Sequence, residues 1–122
     1  MIKSFEDLKI WQEAHRLTLE VYKLTSKFPS EEKYSLISQT RRSASSVPAN
    51  IAEGFSRDTT KEFIKFLYNA RGSLAETICY LLLAKDLGYL KENEYLRIKK
   101  DYNKLAKSIN ALINSLKTKI KK

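Results

Sequence analysis

The chain has 122 residues, of which 43% are apolar and 30% are charged, and this composition excludes a disordered segment and favours one globular domain. Its formal net charge of +9 is unevenly spread, because residues 1–88 carry +2 and residues 89–122 carry +7. The presence of only three glycines and two prolines argues against a many-stranded fold, and the single cysteine excludes an internal disulfide.

The first predicted helix covers about residues 5–27. Ser4 and Asp7 have the spacing of a capping box, and Pro29 ends the segment. The apolar residues recur at alternating spacings of four and three, which places them on one face of a helix. They are Ile10, Ala14, Leu17, Val21, Leu24 and Phe28.

The second predicted helix covers about residues 31–55, with Ser30 as its N-terminal cap. Pro48 lies inside it and lacks the N–H that a helix uses, so we expect a kink there. Residues 43–49 are almost all small, which would let another backbone approach this helix closely.

The third predicted helix covers about residues 60–87, with Thr59 or Thr60 capping its start and Gly88 at its end. It contains a window of small residues around Gly72. We expect this window to face the small stretch of the second helix, because a glycine inside a helix otherwise costs about 1 kcal/mol relative to alanine. The core stripe consists of Phe63, Leu67, Ala70, Leu74, Ile78 and Leu81.

The fourth predicted helix covers about residues 92–117 and has the most regular apolar stripe of the chain. This stripe consists of Ile98, Tyr102, Leu105, Ile109, Leu112 and Leu116. The other faces carry lysines, and the chain ends in a lysine-rich tail that includes Lys121 and Lys122. Such a segment indicates an anionic partner, such as nucleic acid or a membrane surface, or else a solvated helix face.

Long helices joined by short loops pack as antiparallel neighbours. The sequence therefore predicts an all-α fold with a single domain over residues 1–122, an antiparallel up-down-up-down four-helix bundle whose second helix is kinked near Pro48. The third helix has more apolar surface than one packing seam requires, which favours self-association, although isolated exposed apolar residues are also common. We expect no membrane-spanning segment, because the longest uncharged apolar run, residues 78–84, is far shorter than the roughly 20 residues required.

Residues suited to catalysis or metal binding are scarce. One histidine and one cysteine are too few for a zinc or di-iron site, and the three glycines are too far apart for a phosphate-binding loop. We expect His15 to be a buried or edge residue with a hydrogen-bond partner and Cys79 to be an inert core thiol. The sequence thus predicts a non-enzymatic protein without cofactor or metal. The lone cysteine and the absence of an apolar leader before Leu8 favour the cytoplasm.

One group of candidate site residues combines basic side chains with nearby aromatic ones. Lysine and arginine neutralise phosphates, and exposed rings stack on bases. The aromatic residues at core spacing are also explained by the core alone. The basic members of this group are Lys99, Lys100, Lys104 and Lys107, together with Arg57, Lys61 and Lys65.

A second group of polar residues lies near Pro48 and the small-residue windows. We interpret it as a structural network that satisfies the backbone freed by the proline and fixes the helix register, with a binding site as the alternative. Its members are Gln39, Arg42, Asn50, Glu53 and Glu76.

Three segments resemble the motifs of a known family. They are Asp7-Leu8-Lys9-Ile10-Trp11-Gln12, then Ser46-Val47-Pro48-Ala49-Asn50-Ile51-Ala52-Glu53-Gly54-Phe55 preceded by Gln39 and Arg42, and Ala70-Arg71-Gly72-Ser73-Leu74 with Glu76. The family is that of the four-helix bundle proteins encoded by intervening sequences in bacterial 23S rRNA genes, and the resemblance extends from about Phe5 to Leu116.

This resemblance implies a bacterial cytoplasmic protein that has no enzymatic activity and assembles as a ring-like homopentamer. It also implies a relationship to the accessory proteins of diversity-generating retroelements, which bind nucleic acid and a reverse transcriptase through a basic surface.

Two hypotheses about function follow. The first is a homo-oligomeric protein that binds nucleic acid, RNA or DNA with RNA favoured, through a basic surface. The alternative is a scaffold or adaptor that binds a protein partner through the apolar surface of the third helix. Peripheral membrane binding is disfavoured, because the apolar residues of the fourth helix are needed for the core.

Overall fold

The computed structural model describes residues 1–120, and Lys121 and Lys122 of the predicted tail lie outside the described residues. The described part of the chain forms four α-helices, two short 3-10 turns at Phe5–Asp7 and Ser30–Glu32, and no strand. The helices are α1 (Lys9–Thr25), α2 (Leu36–Phe55), α3 (Thr60–Asp86) and α4 (Glu92–Ile120). The prediction of an all-helical fold with four helices is confirmed.

Each helix packs against the one that follows it, and α1 also packs against α4, whereas α1 and α3 share no contact. Contacts between α2 and α3 pair late residues of one helix with early residues of the other. Gly54 lies against Phe63, and the hydroxyl of Ser43 lies 2.8 Å from that of Thr77. This descending order is that of antiparallel neighbours and is consistent with an up-down-up-down arrangement.

The predicted apolar stripes form the core. In α4, Ile98, Tyr102 and Ile109 have no exposed surface. Near the end of this helix Ile113 is buried, whereas the predicted Leu112 is only partly buried. The buried face shifts by one position because a helix with 3.6 residues per turn drifts relative to a seven-residue spacing.

The capping box at the start of the chain is present, but it caps a 3-10 turn. Helix α1 begins only at Lys9, after Leu8 in an extended conformation (φ −76°, ψ 126°). The backbone N–H groups of Lys3 and Ser4 donate to the Asp7 carboxylate at 2.8 and 3.1 Å, and these bonds hold the pKa of Asp7 below its usual range. The box therefore anchors the N-terminal turn rather than the helix.

The second helix begins at Leu36, later than predicted, and Ser30 does not cap it. The Glu32 carboxylate accepts hydrogen bonds from Ser35 Oγ and, at 3.0 Å, from Tyr89 OH in the α3–α4 loop. These bonds lower the pKa of Glu32. A contact with a distant part of the chain thus holds this segment as a separate turn.

Pro48 lies inside α2, which continues as helix on both sides of it, so the kink stays a prediction. Because proline has no N–H, the carbonyl of Ala44 lacks its usual helical donor. The buried Thr18 hydroxyl of α1 lies 3.1 Å from this oxygen and 2.8 Å from the Ala14 oxygen. The single proton of this hydroxyl can be donated to either oxygen, so the neighbouring helix offers the Ala44 carbonyl a donor in place of the N–H that Pro48 lacks.

Of the two glycines inside helices, Gly54 packs against the neighbouring helix and Gly72 does not. A Cβ on Gly54 would lie 2.7 Å from the Cβ of Phe66 and 3.0 Å from a ring carbon of Phe63. A Cβ on the exposed Gly72 would meet no atom within 4 Å. The expectation that Gly72 faces the second helix is therefore wrong.

Replacing Thr18 with valine should destabilise the fold by about 1–3 kcal/mol, because valine has the shape of threonine but leaves the buried Ala44 carbonyl without this donor. Thr18→Ser keeps the hydroxyl and serves as the control. In a Pro48→Ala background the restored N–H bonds to Ala44, so the cost of Thr18→Val should fall. Denaturant unfolding of the single and double variants measures this coupling, and an equal cost in both backgrounds would contradict it.

The two glycines inside helices should respond oppositely to alanine. Gly54→Ala forces a methyl group against Phe66 and should lower stability by about 1–3 kcal/mol. Gly72→Ala adds a methyl group at an open helical position and should raise stability by about 0.5–1 kcal/mol. Thermal unfolding of each variant beside the parent chain shows whether its stability rises or falls. A destabilising Gly72→Ala would show that this position is covered in solution.

Candidate nucleic-acid interface

The four lysines predicted on α4 lie together on its solvent side. Lys100, Lys104 and Lys107 are exposed, and with Lys99 they line a shallow groove of about 470 Å³. Lys99 is half-buried, with its Nζ 5.6 Å from the centre of the Tyr95 ring. Among residues 1–120, no Asp or Glu carboxylate oxygen lies within 4.0 Å of these four ammonium groups. Their charges are therefore uncompensated at short range.

Arg57, Lys61 and Lys65 form a separate cluster at the junction of α2 and α3. Arg57 pairs with Glu53 at 3.3 Å, while Lys61 and Lys65 are exposed. Because α3 and α4 are antiparallel, this junction lies beside the C-terminal part of α4. The structure therefore does not bring this cluster together with the four lysines in the first half of α4.

The basic surface extends onto α1, which the sequence reasoning missed. A groove of about 630 Å³ runs between α1 and α4, and both of its walls carry cations. Those of the first wall are Arg16 and Lys23 of α1 and Lys27 just after its end, and that of α4 is Arg97. Lys9, Arg16 and Lys23 recur every seven residues, which places them on one side of a helix. This spacing is the signal by which the sequence could have indicated the row.

Ion pairs join α1 and α4 in this groove. Arg16 donates to Asp101 at 3.1 Å and to Glu20 at 3.4 Å, and Arg97 donates to Glu20 at 3.2 Å. Hydrogen bonds to Glu13 and Asp101 raise the pKa of Arg16. The side chains of Glu20 and Asp101 are 23% and 29% exposed. Those of Arg16 and Arg97 are 49% and 63% exposed, and the side chain of Glu13, which also pairs with Arg16, is 40% exposed.

The aromatic residues beside these cations do not form a surface on which bases could stack. Tyr102 has no exposed surface and Tyr95 is 4% exposed, because both rings belong to the core. On α3, the centre of the Tyr68 ring lies 4.7 Å from the guanidinium carbon of Arg71 and 5.1 Å from Lys117 Nζ. The cations are thus available to phosphates, while the neighbouring rings are buried or already in contact with cations.

The five residues predicted as one polar network lie in separate groups. Gln39 and Glu76 share the hydroxyl of Tyr80, which is 3.5 Å from Gln39 Oε1 and 3.3 Å from Glu76 Oε2. Partial burial and the Glu76 carboxylate raise the pKa of Tyr80, and the charge of the exposed Arg42 opposes this shift. Tyr80, which the sequence reasoning did not include, thus joins α2 to α3.

Asn50 and Glu53 form their side-chain bonds within α2 and the turn that follows it. Asn50 Nδ2 donates to the Ser46 carbonyl at 2.8 Å, and Glu53 pairs with Arg57. The carbonyl freed by the proline is reached instead by Thr18. The polar residues near the proline therefore bond locally, and the long-range bond comes from a residue outside the predicted group.

Cys79 is exposed, so the expectation of a core thiol is wrong. His15 is also exposed, and its ring stacks on Trp11 with the ring centres 4.8 Å apart and the planes at 11°. Residues 1–120 hold no group of three or more histidine, cysteine or acidic side chains placed to bind a metal ion. No helix in the same range is both long and apolar enough to cross a membrane.

Comparison with known proteins confirms the resemblance. The family described as 23S rRNA-intervening sequence protein matches residues 6–111, and the chain belongs to this family. The fold is similar to a 1.70 Å crystal structure of a protein of unknown function from the S23 ribosomal protein family of Bacteroides thetaiotaomicron VPI-5482. The TM-score is 0.79 and the identity 24%, and the match covers 85% of this chain and 97% of that chain. No curated protein matches the chain significantly.

Proposed function

We propose that this member of the 23S rRNA-intervening sequence protein family is a non-enzymatic, cytoplasmic homo-oligomer that binds RNA through the side of the bundle formed by α1 and α4. The observation that carries this proposal is the exposed row of lysines on α4 without a carboxylate at short range. We call the whole surface the cationic face. It comprises Arg16 and Lys23 of α1, Lys27 just after α1, and Arg97, Lys99, Lys100, Lys104 and Lys107 of α4.

The arrangement of charge on this face suits a polyanion. Lysines that neutralise phosphates release the counterions condensed on the nucleic acid, and this release supplies most of the binding free energy of non-specific complexes. The nearby carboxylates are already paired, Glu13, Glu20 and Asp101 with Arg16, Glu20 also with Arg97, and Glu94 with Lys27. Among residues 1–120, the cations of the face without a carboxylate oxygen within 4.0 Å are Lys23 and the four lysines of α4. The cationic face therefore presents mainly positive groups to an approaching ligand.

The choice of RNA as the polyanion rests on the relatives. The name of the family refers to 23S rRNA, and the similar crystal structure is described as a member of a ribosomal protein family. The charge pattern alone would also fit DNA. The proposal of a protein without enzymatic activity is supported by the positions of His15 and Cys79, which lie on α1 and α3, two helices with no Cα atoms within 8 Å of each other.

Self-association is supported by exposed leucines near the end of α3. Leu82, Leu83 and Leu87 are 39%, 47% and 50% exposed. Leu83 and Leu87 also line a shallow pocket of about 280 Å³ between the start of α2 and the end of α3. Covering such surface favours association, and the family resemblance implies five subunits. The same leucines favour the alternative function, in which a different protein covers them.

Replacing Lys100, Lys104 and Lys107 with glutamine should weaken RNA binding, because each lysine that is removed can no longer neutralise a phosphate. The slope of log affinity against log salt should fall by about one for each phosphate that the variant no longer neutralises. Fluorescence anisotropy at several salt concentrations measures both quantities.

The matched control replaces Lys3, Lys33 and Lys91, which are exposed and lie outside the cationic face. Both triple variants lose the same net charge, so a general charge effect would weaken them equally. The proposal requires the α4 variant to lose more affinity than the control. Absence of RNA binding by the parent chain, even at low salt, would overturn it.

The mass of the chain in solution should exceed the 14.2 kDa of one copy. The double variant Leu83→Gln, Leu87→Gln should shift the mass towards one copy, because polar side chains remove the gain from covering this surface. Leu19→Gln is the control, since Leu19 is 54% exposed but lies in the α1–α4 groove. A parent chain that is monomeric, and that binds one partner protein through Leu83 and Leu87, would support the alternative instead.

A further inference from the structure

On the basis of the proposed function, we infer that the cationic face binds duplex RNA in preference to single strands, contacting phosphates and not bases. Two observations carry this inference. The face offers no aromatic ring to an unpaired base, and its cations lie in two rows on neighbouring helices.

The first observation concerns stacking. Proteins that bind single strands stack bases on exposed rings, and each stacked base is worth about 1–3 kcal/mol. The two tyrosines of α4, Tyr95 and Tyr102, are buried. The exposed rings of the described residues lie elsewhere: Tyr22 faces Arg41 of α2 at 4.5 Å, the His15 ring stacks on Trp11, and Tyr34 lies in the segment that connects α1 to α2. A single strand on the cationic face would therefore gain charge neutralisation without stacking.

The second observation concerns the geometry of the cations. Arg16 and Lys23 belong to α1, while Arg97, Lys100 and Lys104 belong to α4. Packed helices have axes about 8–10 Å apart, so the groove separates the cations of α1 from those of α4, and its lining also includes the carboxylates of Glu20 and Asp101 that pair with Arg16 and Arg97. A duplex offers two strands of phosphates at fixed positions. A flexible single strand offers only one line of phosphates, and the strand loses conformational freedom when it is held in place.

Binding confined to phosphates also predicts that base sequence has little influence on affinity. Double-stranded RNA is recognised mostly by its shape and through its backbone, because side chains cannot read its deep major groove. Most of the hydrogen-bonding groups that line the cationic face are charged, and Asn103 is the one amide among them.

The test uses the full chain, a short blunt RNA duplex, its two separated strands and a second duplex of unrelated sequence, all of equal length. We expect the duplexes to bind with equal affinity and about tenfold more tightly than either strand, a difference that anisotropy titrations resolve readily. The variant with Lys100, Lys104 and Lys107 replaced by glutamine should lose affinity for both duplexes, and Tyr34→Ala should bind every ligand as the parent chain does.

The possible failures are distinguishable. Equal or tighter binding of a single strand would overturn this inference and leave RNA binding intact. Weaker single-strand binding by Tyr34→Ala would also overturn it, because it would reveal stacking at an exposed ring. Absence of binding to every RNA at low salt would overturn the proposed function itself.

Discussion

The burial of the apolar stripe of α4 determines where the positive charge of this molecule lies. Ile98 and Ile109 are completely buried, and α4 packs against both α1 and α3. Removing an isoleucine side chain from water contributes about 1.5–3 kcal/mol. A helix fixed in this orientation presents only its opposite side to solvent, and that side carries Lys100, Lys104 and Lys107. The position of these lysines is thus a consequence of core packing.

The ion pairs between α1 and α4 influence the surface more than they influence stability. Arg16 and Arg97 are about half or more exposed, and pairs of this kind contribute roughly 0–1 kcal/mol. Their effect is to hold Glu20 and Asp101 close to arginines that are more exposed than these carboxylates. The face therefore keeps a positive exterior although its sequence contains several acidic residues.

Hydrophobic periodicity was sufficient to predict the helices and their buried faces, because a stripe of isoleucine and leucine at helical spacing has one stable solution in a bundle. The late start of α2 could not be predicted, because it depends on the bond between Glu32 and Tyr89, which are far apart in sequence. The hydrogen bond of Thr18 could not be predicted for the same reason, since its partner Ala44 belongs to another helix. The cations of α1 were missed because charge was summed along the chain rather than around each helix.

The two windows of small residues show that a sequence can correctly predict close packing of two helices and still indicate the wrong glycine at the contact. Gly54 continues the buried series Ala44, Val47 and Ile51 at spacings of three and four, and it is the glycine that contacts α3. Gly72 lies out of register with the stripe of its own helix and faces outward. A small residue permits close approach, but the phase of the helix decides whether a neighbour is there.

The exposed leucines and the cationic face lie on different parts of the bundle, and this separation gives the proposed function a physical advantage. Leu83 lies on α3 and Leu87 directly follows it, and neither lines the α1–α4 groove, so copies joined through these leucines would leave that groove open. Binding through a few phosphates alone is weak, with dissociation constants on the order of 10⁻⁴ to 10⁻⁶ M at physiological salt. Copies held together bind successive stretches of one RNA as intramolecular events, which raises the overall affinity by about 10²–10⁴ even though each copy binds as before. Assembly through α3 would therefore strengthen binding at α1 and α4 without any change of conformation.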